Sequence, residues 1–123
     1  MDKGAEGHRF LVVEDEMMVL LMIEDMLADF GCEVVASAAS AQQALELIAT
    51  RSFDGALLDM NLNGESSAAV ARALVAHGVP FIFCTGGDMG DVAPQFRDHP
   101  FLRKPFTYED LADRLTQLHL ETH

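Results

Sequence analysis

Residues 9–16 read Arg9-Phe10-Leu11-Val12-Val13-Glu14-Asp15-Glu16: an apolar run that gives way to three acids without a spacer. A run this short and apolar is a strand buried on both faces, and the acids mark where its carboxyl end leaves the core. The same pattern recurs along the chain. Residues 33–38 form a second short strand. Residues 53–58 form a third, ending at Asp59. Residues 80–84 form a fourth, followed by Thr85 and two glycines, and Phe101-Leu102-Arg103-Lys104 is a very short fifth.

Helical spacing fills the intervals. Residues 17–30 place Val19, Met22, Ile23, Met26, Leu27 and Phe30 at helical intervals, and Gly31 supplies the stop. Ser40 followed by Gln43 is a capping box, opening a helix whose core face is Ala41, Ala44, Leu45 and Ile48. Gly64 breaks the loop after Asp59. An alanine-rich helix over 66–77 is anchored by Val70 and Leu74 and closed by Gly78. Thr107 opens the last helix, with Asp110 at its third position and Tyr108, Leu111, Leu115 and Leu118 along one face.

Five strands interleaved with helices predict an α/β fold, a mainly parallel sheet covered on both faces, because parallel neighbours need crossover connections. In such sheets ligands gather beyond the carboxyl ends of the strands. That rim collects Glu14, Asp15, Asp59, Thr85 and Lys104. Each alone is weak: an acidic pair after a strand is usually a solvated helix start, and Lys104-Pro105 is commonly a turn. Their joint placement on the ends of four apolar strands is specific.

Three carboxylates brought together raise one another's pKa unless a cation sits among them. Mg²⁺ (or Mn²⁺) takes oxygen ligands and binds through one or two carboxylates plus a phosphate. Asp15 and Asp59 can supply direct oxygens, Glu14 can reach a metal-bound water, and a main-chain carbonyl near Asn61 can complete the set. Asp59 is then placed as a nucleophile towards phosphorus, with Lys104 and the Thr85 hydroxyl meeting phosphoryl oxygens and Gly86 leaving room for their approach.

Composition narrows the partners. At 123 residues, half of them hydrophobic, the chain is one domain, 1–123, with a core over about 9–120. No apolar run approaches the ~20 residues needed to span a bilayer, and residues 1–8 lack a signal peptide's apolar stretch, so a soluble cytoplasmic protein is expected. The net charge of −12 argues against nucleic acid and anionic membranes and favours a basic or mixed protein surface. The histidines are scattered without metal-site spacing, and two cysteines make no disulfide framework.

Val12-Val13-Glu14-Asp15-Glu16, residues 56–65 around Asp59, Phe83-Cys84-Thr85-Gly86 and Leu102-Arg103-Lys104-Pro105-Phe106 together resemble response-regulator receiver domains of two-component signalling, in wording most like the single-domain type of alphaproteobacteria. The resemblance implies a flavodoxin-like, doubly wound, five-stranded parallel sheet of order 2-1-3-4-5. It implies a phosphoryl group accepted on Asp59 from a histidine kinase or histidine phosphotransferase, in a Mg²⁺-dependent reaction. Glu14 and Asp15 become the acidic metal pair, with the main-chain oxygen of Asn61 as a further ligand. Lys104 becomes the phosphate-binding lysine, Thr85 the switch hydroxyl and Phe101 the switch aromatic. The peptide before Pro105 is expected to be cis. The domain is not an enzyme in the ordinary sense, since it catalyses only its own phosphorylation and dephosphorylation. With that strand order, Cys32 and Cys84 stand three strand spacings of ~4.8 Å apart, beyond a disulfide's reach, so two free thiols are expected.

Two departures from the family pattern stand out. Between Thr85 and Phe101 the glycines and prolines leave room for only a short or irregular fourth helix, around residues 91–96, which puts the usual output face in doubt. The first helix opens with seven consecutive apolar residues, 17–23, which wrap its whole circumference. Some of them must face outward, either under neighbouring loops or as a docking patch for a kinase or phosphotransferase helix, with Val19 and Met22 as candidates.

A haloacid-dehalogenase-type phosphatase needs a second Asp two residues after the nucleophile, where this chain has Asn61. Nucleotide-binding folds need glycine signatures that the first strand lacks. The alternative retained is a pseudo-receiver, an interaction module of the same fold that is never phosphorylated. The chain is expected to be either a stand-alone regulator, which the initial Met and short polar tail favour, or a receiver cut from a larger protein; its downstream protein is unknown.

Overall fold

The structure, a computed structural model, describes residues 7–62, 65–86 and 100–118. In chain order these form β1 (Arg9–Val13), α1 (Met17–Asp29), β2 (Glu33–Ala38), α2 (Ala41–Thr50), β3 (Gly55–Asp59), β4 (Asn61–Leu62), β5 (Glu65–Ser66), α3 (Ala68–Ala76), β6 (Phe81–Thr85), β7 (Phe101–Arg103) and α4 (Tyr108–Gln117). The main sheet runs β2-β1-β3-β6-β7, every neighbouring pair parallel. Counting main-sheet strands alone, this is the expected 2-1-3-4-5. β4 and β5 form a separate antiparallel hairpin. No sequence signal announced it: two-residue strands are too short to show a period.

Alternation along the strands divides the core into two layers. Leu11 and Val13 of β1, Ala56 and Leu58 of β3, and Phe81 and Phe83 of β6 pack with Val70 and Leu74 of α3 and Ile48 of α2. Phe10, Val12, Leu57, Ile82 and Leu102 turn the other way, onto Ile23 and Leu27 of α1 and Leu111 and Leu115 of α4. Truncating a residue such as Leu57 to Ala leaves a hole that costs about 2–5 kcal/mol.

The glycine stops work as read. Gly31 (φ 81°) and Gly78 (φ 70°) take the left-handed conformation after α1 and α3. At each, two backbone N–H groups close back on the last turn: Gly31 to Ala28 and Cys32 to Leu27, Gly78 to Val75 and Val79 to Leu74. Thr107 and Asp110 form a complete capping box on α4. On α2 the box is only half made. Ser40 Oγ accepts from Gln43 N, but the Gln43 side chain accepts from Ala39 N rather than from Ser40. Leu45 is a second correction, since Ala41, Ala44 and Ile48 fill the core face of α2 while Leu45 stays exposed. Tyr108 is likewise part-exposed, resting on Phe30 with ring centroids 4.3 Å apart.

Cys32 and Cys84 are buried and form no disulfide, as the strand order required. No helix among the described residues is long and apolar enough to cross a membrane. The expected short helix at 91–96, Gly64 and the end of the core beyond residue 118 lie outside the described residues.

Candidate functional site

Strand register assembles the site. Val13 is level with Leu58 across β1 and β3, so Glu14 and Asp15 leave β1 beside Asp59. Asp59 is level with Cys84 on β6, and Thr85 with Arg103 on β7. Lys104 follows, its N–H donating to the Thr85 carbonyl at 2.7 Å. All five rim residues read from sequence meet at one end of the sheet.

The carboxylates converge. Glu14, Asp15 and Asp59 each offer a ligand oxygen, and these oxygens lie within 4.8 Å of one another. Asp59 is held on both oxygens: Oδ1 accepts from Asn61 N at 3.2 Å and Oδ2 from Lys104 Nζ at 3.0 Å. The same ammonium donates to Glu14 Oε1 at 2.7 Å, and Glu14 Oε2 accepts from Glu16 N at 3.2 Å. The Asn61 N–H thus turns towards Asp59.

Burial sets the electrostatics. The Glu14 side chain is 1% exposed and Lys104 19%. Desolvation pushes Glu14 above the usual carboxylate range despite the bonds from Lys104 and Glu16. Burial alone lowers Lys104, but the bonds and charges of Glu14 and Asp59 outweigh it and the net shift is upward. One contact is therefore favourable seen from the lysine and insufficient seen from the glutamate, because the glutamate is the more completely dehydrated partner.

Thr85 is buried at the end of β6. A Cβ built on the following Gly86 meets nothing within 4 Å, so no crowding in the structure itself demands glycine there. Phe101 is half-buried and packs into the α2/α3 layer. The Lys104–Pro105 peptide is cis. On α1, Val19 is half-buried against the core, while Met17 (66%), Met18 (80%), Leu21 (49%) and Met22 (37%) are the exposed apolar residues. The outward face therefore includes Met22 and is centred nearer Met18 than Val19. Ser67, buried after the β4–β5 hairpin, donates its hydroxyl to the Met60 carbonyl at 3.1 Å and so ties the hairpin's base to the residue beside Asp59. Nothing in the sequence distinguished Ser67 from neighbouring serines.

The response-regulator receiver domain family matches residues 10–116. This chain belongs to that family. Receivers are signalling domains. A similar solved structure is that of SdrG from Sphingomonas melonis Fr1, at 39% identity and a TM-score of 0.82, covering 96% of this chain and 98% of that one. Another is the receiver domain of the sensor histidine kinase PA1611 from Pseudomonas aeruginosa PAO1, at 26% identity and a TM-score of 0.73, covering 91% of this chain and 97% of that one. That receiver carries a magnesium ion coordinated in its active-site cleft. The transcriptional regulatory protein PdtaR of Mycobacterium tuberculosis is 27% identical over 112 residues, which is 88% of this receiver and 55% of PdtaR. The receiver thus spans about half the length of the curated relatives it matches.

Proposed function

We propose that this receiver is a phosphoacceptor of two-component signalling, taking a phosphoryl group on Asp59 from a phosphohistidine of a histidine kinase or histidine phosphotransferase. The observation that carries the reading is the meeting of Asp59 with Glu14, Asp15 and Lys104 at the carboxyl rim. In the transfer an Asp59 carboxylate oxygen forms a bond to phosphorus as the phosphorus–nitrogen bond of the donor breaks; the donor ring, protonated on its other nitrogen, keeps the electron pair and leaves as neutral imidazole, and Asp59 becomes an acyl phosphate. Later attack by water returns Asp59 and inorganic phosphate.

The donor set fits a hard divalent cation. Three carboxylates gather, two of them paired with one ammonium, an excess of negative charge that Mg²⁺ or Mn²⁺ would relieve through oxygen ligands. Asp15, Asp59 and the Asn61 main-chain oxygen would hold it directly, with Glu14 beside them. Bound there, the ion neutralises charge on the phosphoryl oxygens. Lys104 neutralises charge on another side, and the Thr85 hydroxyl donates to a further oxygen. Thr85 and Phe101 form the switch, the ring turning inward as Thr85 follows the phosphoryl group. The exposed face of α1, with Met22 and flanking Val19, is the docking surface for the donor. The readout is contact with a downstream protein.

The test is intact mass after incubation with Mg²⁺ and acetyl phosphate, beside Asp59→Asn. Wild type should gain one phosphoryl mass, a gain abolished by chelation; the variant should gain none. No gain in wild type, together with no beryllofluoride binding, would assign the domain to the pseudo-receivers. A gain in both proteins would remove Asp59 as acceptor.

A further inference from the structure

β7 is the outer strand of the sheet, at the end opposite β2, so half of its backbone groups point away from β6. Pairing decides which half. Phe83 N–H donates to the Pro100 carbonyl at 3.1 Å and Lys104 N–H to the Thr85 carbonyl at 2.7 Å. Residues 100 and 104 thus turn their backbones towards β6, and by alternation the Phe101 carbonyl turns to the open edge. There it accepts from Arg114 Nε at 2.7 Å.

Arg114 stands half-buried on α4, between Leu111 and Leu115, which anchor the helix in the core. The Phe101 ring packs in the α2/α3 layer, whereas α4 belongs to the opposite layer. Ring and helix lie on different faces of the sheet, so the ring's packing does not bear on α4 directly. The Phe101 carbonyl belongs to neither face. It lies in the plane of the sheet, where a side chain reaching round the edge can grip it. Arg114 does so through the Nε–H of its planar guanidinium.

We propose that Arg114 is a positioning residue that couples the backbone of Phe101 to α4, so that a change at the switch is delivered to the surface of the last helix. The proposal rests on the switching role given above to Thr85 and Phe101. It adds the connection that carries the change out of the sheet, an element biased by both ends.

Two substitutions isolate the bond. Arg114→Gln keeps an amide nitrogen at the position of Nε, whereas Arg114→Met places a methyl there. Both lose the charge, so they differ in the donor. Each variant, its folding checked by a thermal melt, is followed by NMR with isotope-labelled phenylalanine and backbone amides, with and without beryllofluoride and Mg²⁺. In wild type, beryllofluoride should displace both the Phe101 ring signals and the α4 amides. In Arg114→Met the ring should still respond while the α4 displacement falls below half; Arg114→Gln should retain most of it. A full α4 response in Arg114→Met overturns the proposal and assigns the coupling to Leu102, which shares a core layer with Leu111 and Leu115. Equal loss in both variants overturns it in favour of the charge. A Phe101 ring that fails to respond in wild type overturns the switch reading itself, before any variant is compared.

Discussion

Lys104 Nζ lies 2.7 Å from Glu14 Oε1, across 90 residues of chain, closer than the 3.0 Å that separates it from Asp59 Oδ2. The lysine proposed to meet phosphate is therefore also the counter-ion of the acid that follows β1. Any cation entering the carboxylate cluster competes with it for the same carboxylates.

Removing the lysine should expose that competition. Lys104→Met leaves Glu14 and Asp59 without their ammonium, and the metal-free variant should lose about 1–3 kcal/mol in urea unfolding, the cost of stranding part-buried charge. Mg²⁺ should restore more stability to the variant than to wild type, because the carboxylates are no longer shared. Phosphorylation by acetyl phosphate should nevertheless slow. A variant phosphorylated at the wild-type rate would remove Lys104 from the transfer.

The raised pKa of Glu14 sets a pH dependence in chelator. The folded protein holds this proton to higher pH than the unfolded chain does, whose reference value is 4.5. Between 4.5 and the raised value the native state binds more protons, so stability falls as pH rises through that window. Glu14→Gln lacks this dependence. Unfolding free energies of the two proteins, measured against pH, should diverge above 4.5 in favour of the variant. Parallel curves would mean that Lys104 fully compensates the buried acid.

The thiols should be inert until the fold opens. Burial pushes Cys32 up to about 11 and Cys84 to about 12, and the thiolate is the reactive form. A colorimetric thiol reagent at neutral pH should titrate both only at the rate of unfolding, and fully at once in denaturant. Rapid labelling of one thiol in the native protein would contradict the burial.

The exposed face of α1 should matter to protein donors and not to small ones. Replacing Met18, Leu21 and Met22 together by Ser should slow transfer from a phosphohistidine protein several-fold while leaving acetyl phosphate kinetics unchanged. Val19 is a poorer choice because it packs against the core, and its replacement would cost stability as well. Equal rates from the protein donor would discard this face as the docking surface.

How much of this was legible in the sequence depends on how local each signal is. The apolar runs ending in Glu14, Asp59, Thr85 and Lys104, and the stops at Gly31 and Gly78, are written in neighbouring residues. Strand, helix and rim assignments therefore needed only short windows, although the edges of β3, β6, β7 and α3 shifted by one or two residues and Ser66, expected to open α3, lies in β5. Leu45 misled because its helical spacing is compatible with the core face, while three-dimensional packing is already filled by Ala41, Ala44 and Ile48. The β4–β5 hairpin left no trace because two residues make no period.

By itself, then, the sequence determined which residues reach the carboxyl rim, since strand ends and their polar successors are covalent neighbours. Tertiary structure alone decided what those residues do to one another. The sharing of Lys104 between Glu14 and Asp59 depends on register across four strands, β1, β3, β6 and β7. The grip of Arg114 on the Phe101 carbonyl depends on β7 being an edge strand with an outward backbone group to satisfy. Such pairings bring together residues distant in the chain and are selected by burial and direction, and neither quantity exists until the sheet has closed its layers.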